Sequence, residues 1–230
     1  IGIIGFGFVG KALQKGLKND VICIEIDPKL GTNIDDLINH KPEIVFICVP
    51  TPMNDDGTQN ISIVKNVIDE INKFDANFLI VLKSTILPKY VKDISNMYNN
   101  LVINPEFIRE NFADEDFINS NIIIFGGDKN NCNKLSYFYK NHTRCLCKEY
   151  TITDGESASL IKYTINSFLA LKVIFFNEIK QVFDSLNSQN DWSNFINALS
   201  SDKRIGNSHM DVPGPDGRFG FGGPCFPKDV

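Results

Sequence analysis

The chain has 230 residues, of which 43% are hydrophobic and 22% charged, and its formal net charge is -5 at pH 7. These values are ordinary for a globular protein long enough to form one large domain or two smaller ones. No apolar run approaches the roughly 20 residues that a bilayer requires, and no basic cluster is present, so we expect neither a membrane protein nor a nucleic-acid-binding protein.

The cysteine and histidine content indicates neither a disulfide scaffold nor a metal centre. The six cysteines are spread along the chain, and the three histidines show no ligand spacing. The opening residues lack the charged start and the small-residue cleavage site of a signal peptide. We therefore expect a cytoplasmic protein with reduced thiols and no bound metal.

Short apolar runs alternate with helix-like or polar stretches over the first two thirds of the chain. They predict strands over Ile1–Ile4, Val21–Ile26, Ile44–Val49, Phe78–Leu82, Leu101–Ile103 and Asn121–Phe125. Such alternation is typical of an α/β fold with a mostly parallel, doubly wound sheet of the Rossmann type. We assign this first domain to residues 1–152.

The first strand leads into a G-x-G-x-x-G motif that begins at Gly5. Gly5 would permit the tight turn, Gly7 would let a pyrophosphate approach the backbone, and Gly10 would let the helix pack on the strand. The N–H groups of the first helical turn, which includes Phe8 and Val9, would bind phosphates without a basic side chain. The alternative is a tight turn that binds nothing.

Three further residues are candidates for the cofactor site. Glu25 ends the second strand about twenty residues after the motif, where an acid binds the ribose diol of NAD and repels the 2′-phosphate of NADP. Thr51 in CVPTP and Thr85 in KSTILP each follow a predicted strand. They would therefore lie at the carboxyl edge of the sheet, although a helix cap is the alternative for either threonine.

The segment NPEFIRE at residues 104–110 has the composition of a helix start. Asn104 would be the cap and Pro105 the first helical residue, with Glu106 and Glu110 one turn apart on one face. The two carboxylates would then either complement the helix dipole or act as an acid-base pair.

A long helix opens the second domain, which we assign to residues 153–230. More than thirty residues from Asp154 contain no proline and one glycine, which predicts a helix apolar enough to be buried on more than one side. Lys162, Asn166 and Asn177 form a polar stripe on it, which indicates a site because a buried lysine requires an anionic partner. A short helix over residues 191–200 and a glycine- and proline-rich loop follow.

The tail, GFGGPCFPKDV, places Cys225 between two prolines. Pro227 would open a helix whose N-terminus favours the thiolate, and Lys228, or Lys162 in space, would add positive charge. In a helix, Cys225 and Asp229 would lie about one turn apart. The alternative is a structural turn in which the cysteine is a small filler.

A nicotinamide cofactor beside an activated thiol suits oxidation at the aldehyde level. Thiolate addition would give a thiohemiacetal, loss of its C–H hydride a thioester, and water would cleave the thioester. Glu110 or Asp229 would activate that water, while Lys162 and Asn166 would stabilise the oxyanion.

Several segments together resemble the UDP-glucose/GDP-mannose dehydrogenase family, in the family's order along nearly the whole chain. They are GFGFVG, CVPTP, KSTILP, NPEFIRE, the helix that carries Lys162, Asn166 and Phe176-Asn177-Glu178, KRIG at residues 203–206, and FGFGGPCFPKD. The resemblance implies an NAD-dependent, four-electron oxidation of a sugar C6 alcohol to a carboxylate, with two NAD molecules and a thioester on Cys225. The tail is more similar to the UDP-glucose branch, which implies that UDP-glucose is converted to UDP-glucuronate.

The resemblance also implies roles for individual residues. The catalytic set comprises Thr85, Glu110, Lys162, Asn166, Cys225 and Asp229. The nucleotide-sugar set comprises Glu106, Phe107, Arg109, Lys162, Asn166, Arg204, Phe219, Phe221 and Gly222. The cofactor set comprises Gly5, Gly7, Phe8, Val9, Gly10, Glu25, Thr51, Thr85 and Lys228. Because the long helix helps to form a dimer in the family, we expect a homodimer.

Two departures from the family pattern stand out. The stretch between Asp27 and Ile44 is shorter than is usual in the family. The family also continues past the thiol motif into a second nucleotide-binding domain that closes over the UDP-sugar. Residues 1–230 do not supply this domain, as expected for a fragment, for a chain with a disordered tail or for a shortened relative.

Two other functions are compatible with the sequence. A β-hydroxyacid or 6-phosphogluconate type dehydrogenase also has an NAD domain followed by a long helix, but it makes one hydride transfer and does not need Cys225. A non-catalytic module that binds NAD or a nucleotide sugar and pairs with a full-length partner is the second alternative.

Overall fold

The computed structural model describes residues 1–74, 77–186, 189–223 and 225–230. They form two compact units, residues 1–162 and 163–230. The division falls inside the long helix, beyond the boundary that we place at residue 152 from the sequence.

The first unit is built on a seven-stranded sheet in the order β2-β1-β3-β4-β5-β6-β7. The strands are β1 (Gly2–Ile4), β2 (Ile24–Ile26), β3 (Ile44–Ile47), β4 (Leu79–Leu82), β5 (Leu101–Ile103), β6 (Ile124–Gly127) and β7 (Thr151–Thr153). Neighbouring strands are parallel except β5 and β6, which are antiparallel. The predicted fold class is confirmed, and each of the six predicted strands overlaps an observed one, although the predicted Val21–Ile26 and Asn121–Phe125 begin three residues too early. The pattern does not predict β7 because this strand is short and largely exposed.

Helices cover both faces of the sheet. The first unit contains α1 (Phe8–Gly16), α2 (Ile34–His40), α3 (Ser62–Asn72), α4 (Pro88–Met97), α5 (Ala113–Ile118) and α6 (Lys129–His142). Alternate strand residues point to opposite faces. Ile3 and Phe46 therefore pack in one core with residues of α1, α5 and α6. Ile4 and Ile47 pack in the other with residues of α2, α3 and α4, so the sheet is doubly wound.

The chain order reverses around β1, which lies between β2 and β3. The loops that follow β1 and β3 touch there: a Cβ atom added at Gly5 would lie 2.9 Å from backbone atoms of Cys48 and Val49. In open α/β sheets a ligand binds in the crevice at such a switch point, outside the carboxyl ends of the strands. The topology therefore locates a nucleotide crevice beside the glycine motif.

The second unit is helical. Helix α7 (Gly155–Ser185) enters it from the first unit and is followed by α8 (Trp192–Ser200), a long loop and α9 (Phe226–Asp229). The long and short helices confirm the predictions. Phe176 forms a small core with Met210 and Val212 of the loop, against which Trp192 and Leu199 pack.

One face of α7 is apolar and exposed. The side chains of Phe168, Leu171, Phe175 and Val182 are 63%, 64%, 55% and 57% exposed. In the single chain this face of α7 is therefore exposed, although the composition of the helix predicts burial on more than one side. By length and hydropathy α7 is also able to cross a membrane, although core helices of soluble proteins pass the same test.

Candidate active site

The glycine loop between β1 and α1 has the geometry that a dinucleotide requires. Gly5 has φ +88°, in the left-handed region that side chains rarely adopt. A Cβ at Gly10 would lie 2.4 Å from the carbonyl oxygen of Gly5, so this glycine allows the helix to pack on the turn. At Gly7 a Cβ would meet nothing within 4 Å, which leaves open space over the loop.

The first turn of α1 completes a phosphate cradle. Gly7 is the N-cap, and no acidic residue is present in the first turn. The first N–H groups of a helix have no intrahelical acceptor, so those of Phe8, Val9 and Gly10 are suited to bind an anion. The loop and this turn thus fit the pyrophosphate of NAD.

Two acids lie at the end of β2: Glu25 is inside the strand, and Asp27 follows it directly. Glu25 accepts a hydrogen bond from the side-chain amide of Gln14 on α1, so one oxygen of the predicted ribose-binding carboxylate is already engaged. Sequence reasoning overlooks the second acid. The Asp27 carboxylate accepts hydrogen bonds from the N–H of Phe6 at 2.8 Å and from the N–H of Lys29 at 2.9 Å.

Thr51 and Thr85 meet at the carboxyl edge of the sheet. The Thr51 hydroxyl donates to the carbonyl oxygen of Thr85 at 2.7 Å. The Gln59 amide donates to the same oxygen at 2.9 Å and accepts from the N–H of Leu87 at 2.8 Å. Neither threonine caps a helix, since α3 and α4 begin after Ile61 and Leu87. The helix-cap alternative is therefore wrong, and Gln59 is a further residue that holds this loop.

The predicted helix start at residues 104–110 is wrong. Residues 104–109 have no regular secondary structure, and Glu110 opens a short 3-10 turn that leads into α5. The reason is that the buried side chain of Asn104 makes hydrogen bonds to other parts of the fold. Its Nδ2 donates to the carbonyl oxygen of Ile124, and its Oδ1 accepts from the hydroxyl of Tyr139 at 2.7 Å. It is therefore not available as a cap, and Glu106 and Glu110 are not stacked on a helix.

A buried lysine that sequence reasoning overlooks organises this segment. Lys83, which follows β4 directly, places its ammonium 2.7 Å from Glu106 Oε2, 3.0 Å from Asn104 Oδ1 and 3.3 Å from the Tyr139 hydroxyl. The ammonium thus has one ion-pair partner and two hydrogen-bond acceptors. Burial alone would lower the pKa of Lys83, but the charge of Glu106 raises it above its usual range. The sequence does contain a signal for this buried site, because a lysine directly follows an apolar strand.

Two other predicted residues of the first unit, Lys162 and Arg109, have partners of their own, and Glu110 lies beside α1. The Lys162 ammonium lies 5.1 Å from the ring centre of Phe107. The exposed Arg109 donates from Nε and Nη2 to Asp116, which lowers the pKa of that carboxyl. Glu110 is exposed and lines an open cavity of about 300 Å³ together with residues of α1 that include Phe8 and Lys11.

In the second unit the predicted catalytic residues converge at the tail. Cys225 is the N-cap of α9, and the N–H of Asp229 donates to the Cys225 carbonyl oxygen at 3.1 Å. The expected one-turn separation is confirmed. The buried Asp229 accepts from the Asn166 amide at 2.6 Å and from the Lys228 ammonium at 2.5 Å. Half-buried Cys225 therefore adjoins a carboxylate with an amide and an ammonium as partners.

The loop that leads to Cys225 is tied to α7. Buried Asn177 accepts a hydrogen bond from the N–H of Gly220 at 3.0 Å, so the polar stripe on α7 anchors the glycine-rich segment. Phe221 contacts the ring of Phe226. Phe219 and Gly222 are exposed. Pro224, the first of the two prolines, lies outside the described residues.

Arg204 lies apart from this cluster. Its guanidinium pairs with Asp202 at 2.5 Å, and its side chain is 89% exposed. The structure thus brings together Asn166, Lys228, Asp229 and the Cys225 turn. It does not bring Arg204 or the ring of Phe219 into that set.

Two family models match the chain. One describes the NAD binding domain of the UDP-glucose/GDP-mannose dehydrogenase family and matches residues 30–143. The other describes the central domain of the same family and matches residues 156–230.

Individual relatives agree with these models. UDP-glucose 6-dehydrogenase from Rickettsia bellii is 38% identical over 196 residues, which are 82% of this chain and 43% of the relative. The enzyme of the same name from Rickettsia felis is 32% identical and covers 86% of this chain and 44% of its own length. A UDP-glucose dehydrogenase structure from Pyrobaculum islandicum is 26% identical with a TM-score of 0.78, covering 99% of this chain and 61% of that one.

This chain therefore spans less than two thirds of the length of each of these relatives. The two domain models match successive parts of the chain, and their order agrees with an α/β unit followed by a helical one. The chain belongs to the UDP-glucose/GDP-mannose dehydrogenase family of NAD-dependent oxidoreductases and carries its NAD-binding and central domains.

Proposed function

We propose that this chain is the NAD-binding and central part of a cytoplasmic, homodimeric dehydrogenase that oxidises the C6 alcohol of UDP-glucose to the carboxylate of UDP-glucuronate. The observation that carries the proposal is the tail cluster, in which Cys225 adjoins a buried Asp229 held by Asn166. A structural turn would not require a buried carboxylate with two partners one helical turn from a cysteine. The names of the relatives support UDP-glucose as the sugar nucleotide.

NAD, when bound, accepts one hydride at each of two oxidation stages. The glycine loop and the first turn of α1 hold its pyrophosphate. Glu25 holds the adenosine ribose through the oxygen that Gln14 does not engage. Thr51 and Thr85 follow β3 and β4 and form the edge of the cofactor site. The hydrogen bond from the Thr51 hydroxyl to the Thr85 carbonyl oxygen fixes the loop after β4.

The residues of the tail handle the carbon that is oxidised. In the first oxidation the C6 alcohol would lose a hydride to NAD and its hydroxyl proton to solvent, which leaves an aldehyde. The sulfur of Cys225 then adds to this aldehyde, an S–C bond forms, and the carbonyl π electrons move to oxygen. Lys162 and Asn166 stabilise that oxyanion by donating hydrogen bonds to it. In the second oxidation the C–H bond breaks, the hydride would pass to NAD, and the oxyanion re-forms the C=O bond, which gives a thioester.

Hydrolysis then releases the product. A carboxylate, Asp229 or Glu110, accepts a proton from water as the water oxygen bonds to the thioester carbon. The C–S bond breaks, the electron pair stays on sulfur, and the free carboxylate leaves. Cys225 is regenerated as a thiolate without net consumption of any protein group.

The nucleotide-sugar contacts divide into two kinds. Phe219 and Gly222 are exposed and suited to direct contact, and so is Arg204 once a nucleotide sugar replaces Asp202 as the partner of its guanidinium. Glu106 and Arg109 are paired with Lys83 and Asp116, so we assign them chiefly to shaping the segment that contains Phe107. Phe221 supports the loop through Phe226.

Replacement of Cys225 by serine tests the proposal. We expect Cys225→Ser to lose net NADH production from UDP-glucose while its affinity for NAD is unchanged, because the thiol lies outside the glycine loop. In the wild type, acid quenching during turnover and mass spectrometry should find a UDP-glucuronyl adduct on the peptide that contains Cys225. Full activity of the serine variant would make the thiol a structural filler.

A further inference from the structure

Asp27 links the loop after β1 to the turn after β2, and both segments line the cofactor crevice. One carboxylate oxygen caps the short 3-10 helix Pro28–Leu30 by accepting from the N–H of Lys29 at 2.9 Å. The other accepts from the N–H of Phe6, inside the glycine motif, at 2.8 Å. A single side chain therefore joins the end of β2 to the loop after β1.

Neighbouring hydrogen bonds make this connection rigid. The N–H of Gly5 donates to the carbonyl oxygen of Ile26 at 2.9 Å. The Thr32 hydroxyl donates to the carbonyl oxygen of Glu25 at 2.7 Å and accepts from the N–H of Asp27 at 3.0 Å. The backbone on both sides of the Asp27 carboxylate is thus fixed, and the carboxylate has little freedom to leave Phe6.

The bond to Phe6 decides which N–H groups of the loop face a ligand. Because the N–H of Phe6 donates to Asp27, it is not available to a phosphate, and the donors left for a ligand are those of the first turn of α1. An extended strand places Glu25 and Asp27 on the same side of β2. Hydrogen bonds from Lys29 and Phe6 lower the pKa of the Asp27 carboxyl, which is consistent with a charged acceptor.

We propose that Asp27 is a positioning residue for NAD: its carboxylate holds the N–H of Phe6 and thereby fixes the glycine loop in the conformation that receives the pyrophosphate. Asp27 does not touch the cofactor in this role. Glu25 remains the ribose ligand, and the two acids have separate tasks. The proposal rests on NAD binding by the first unit and is independent of the chemistry at Cys225.

The test compares Asp27→Ala and Asp27→Asn with a matched variant, Asp56→Ala. Asp56 also accepts hydrogen bonds in a local turn, from the N–H and hydroxyl of Thr58, but it lies outside the glycine loop. Calorimetry measures the dissociation constants of NAD and ADP-ribose, which share the pyrophosphate. We expect Asp27→Ala to weaken both by about tenfold, as the loss of a hydrogen bond to a charged acceptor implies.

Asp27→Asn retains one side-chain acceptor oxygen and should weaken binding by about threefold, between the wild type and the alanine variant. The amide resonance of Phe6 in a ¹H–¹⁵N spectrum should move in both Asp27 variants and not in Asp56→Ala. A role limited to stability would lower the melting temperature without changing the affinity of the folded protein. Unchanged dissociation constants for Asp27→Ala would overturn the proposal, whereas absence of NAD binding by the wild type would overturn the cofactor site itself.

Discussion

Asn166 and Asp229 are both buried and form a hydrogen-bonded pair, with the amide as donor and the carboxylate as acceptor. The amide of Asn166 donates to Asp229, whose side chain is 1% exposed. Sixty-three positions separate the two residues, so no local pattern reveals the pair. The sequence motifs identify each residue as a candidate, but only the fold shows that the Asn166 amide orients the Asp229 carboxylate.

Replacing Asn166 by aspartate tests this match. Two carboxylates in contact cannot both be ionised in a buried site. We expect the free energy of unfolding, measured in urea, to fall by about 3 kcal/mol at pH 8, as for a buried charge left without its partner. The loss should be smaller at pH 5, where a shared proton relieves the repulsion. Asn197→Asp, at an exposed position of α8, is the control and should change little.

Asp116 gives the fold a defined dependence on acid. Hydrogen bonds from Arg109 lower the pKa of Asp116 in the folded state. The resulting stability is present above the unfolded pKa, about 3.9 for an aspartate, and is lost as the pH falls through the lower folded value. In Asp116→Asn the unfolding free energy should therefore fall less steeply below about pH 4 than in the wild type. Identical acid profiles would contradict the assignment.

At the scale of elements, the carboxyl ends of β4 and β5 are held by the buried ion pair of Lys83 and Glu106. The Lys83 side chain is 2% exposed and that of Glu106 12% exposed. Because α6 supplies Tyr139 and β6 supplies the Ile124 carbonyl to Asn104, four elements meet at this point. The pair thus fixes the path of residues 104–109.

A double-mutant cycle tests the ion pair. Lys83→Met and Glu106→Gln should each reduce the free energy of unfolding by about 3 to 5 kcal/mol, because each removes one partner of a buried charge pair. The double variant should recover most of that loss. Strictly additive effects in a urea titration would show that the two side chains do not depend on each other.

The sequence predicts the elements well where the signal is local. The strands of the sheet follow from apolar runs, α7 from its length without breakers, and the glycine loop from its spacing. The segment NPEFIRE is mispredicted because an asparagine followed by proline is typical of a helix start. Here distant partners, Lys83 and Tyr139, engage Asn104 instead. Asp27 and Gln59 are missed because their roles depend on neighbours across the fold.

At the scale of the whole molecule, the exposed face of α7 defined by Phe168, Leu171, Phe175 and Val182 supports the proposed homodimer. A second copy would bury these side chains. We expect the wild type to be a dimer by light scattering and Phe175→Lys to be a monomer, since a charge in an apolar interface is unfavourable. Gln181→Lys adds the same charge on another face of α7 and should leave the dimer intact. A monomeric wild type would contradict the proposal.

The central claim is that the chain carries the machinery of a two-stage oxidation that passes through Cys225. The most direct measurement supplies NAD and UDP-glucose and counts the NADH formed for each sugar consumed. We predict two NADH and one UDP-glucuronate. One NADH with a stable keto product would contradict the thioester route and favour a single hydride transfer. NAD binding without turnover of the sugar nucleotide would also contradict it and favour a non-catalytic module.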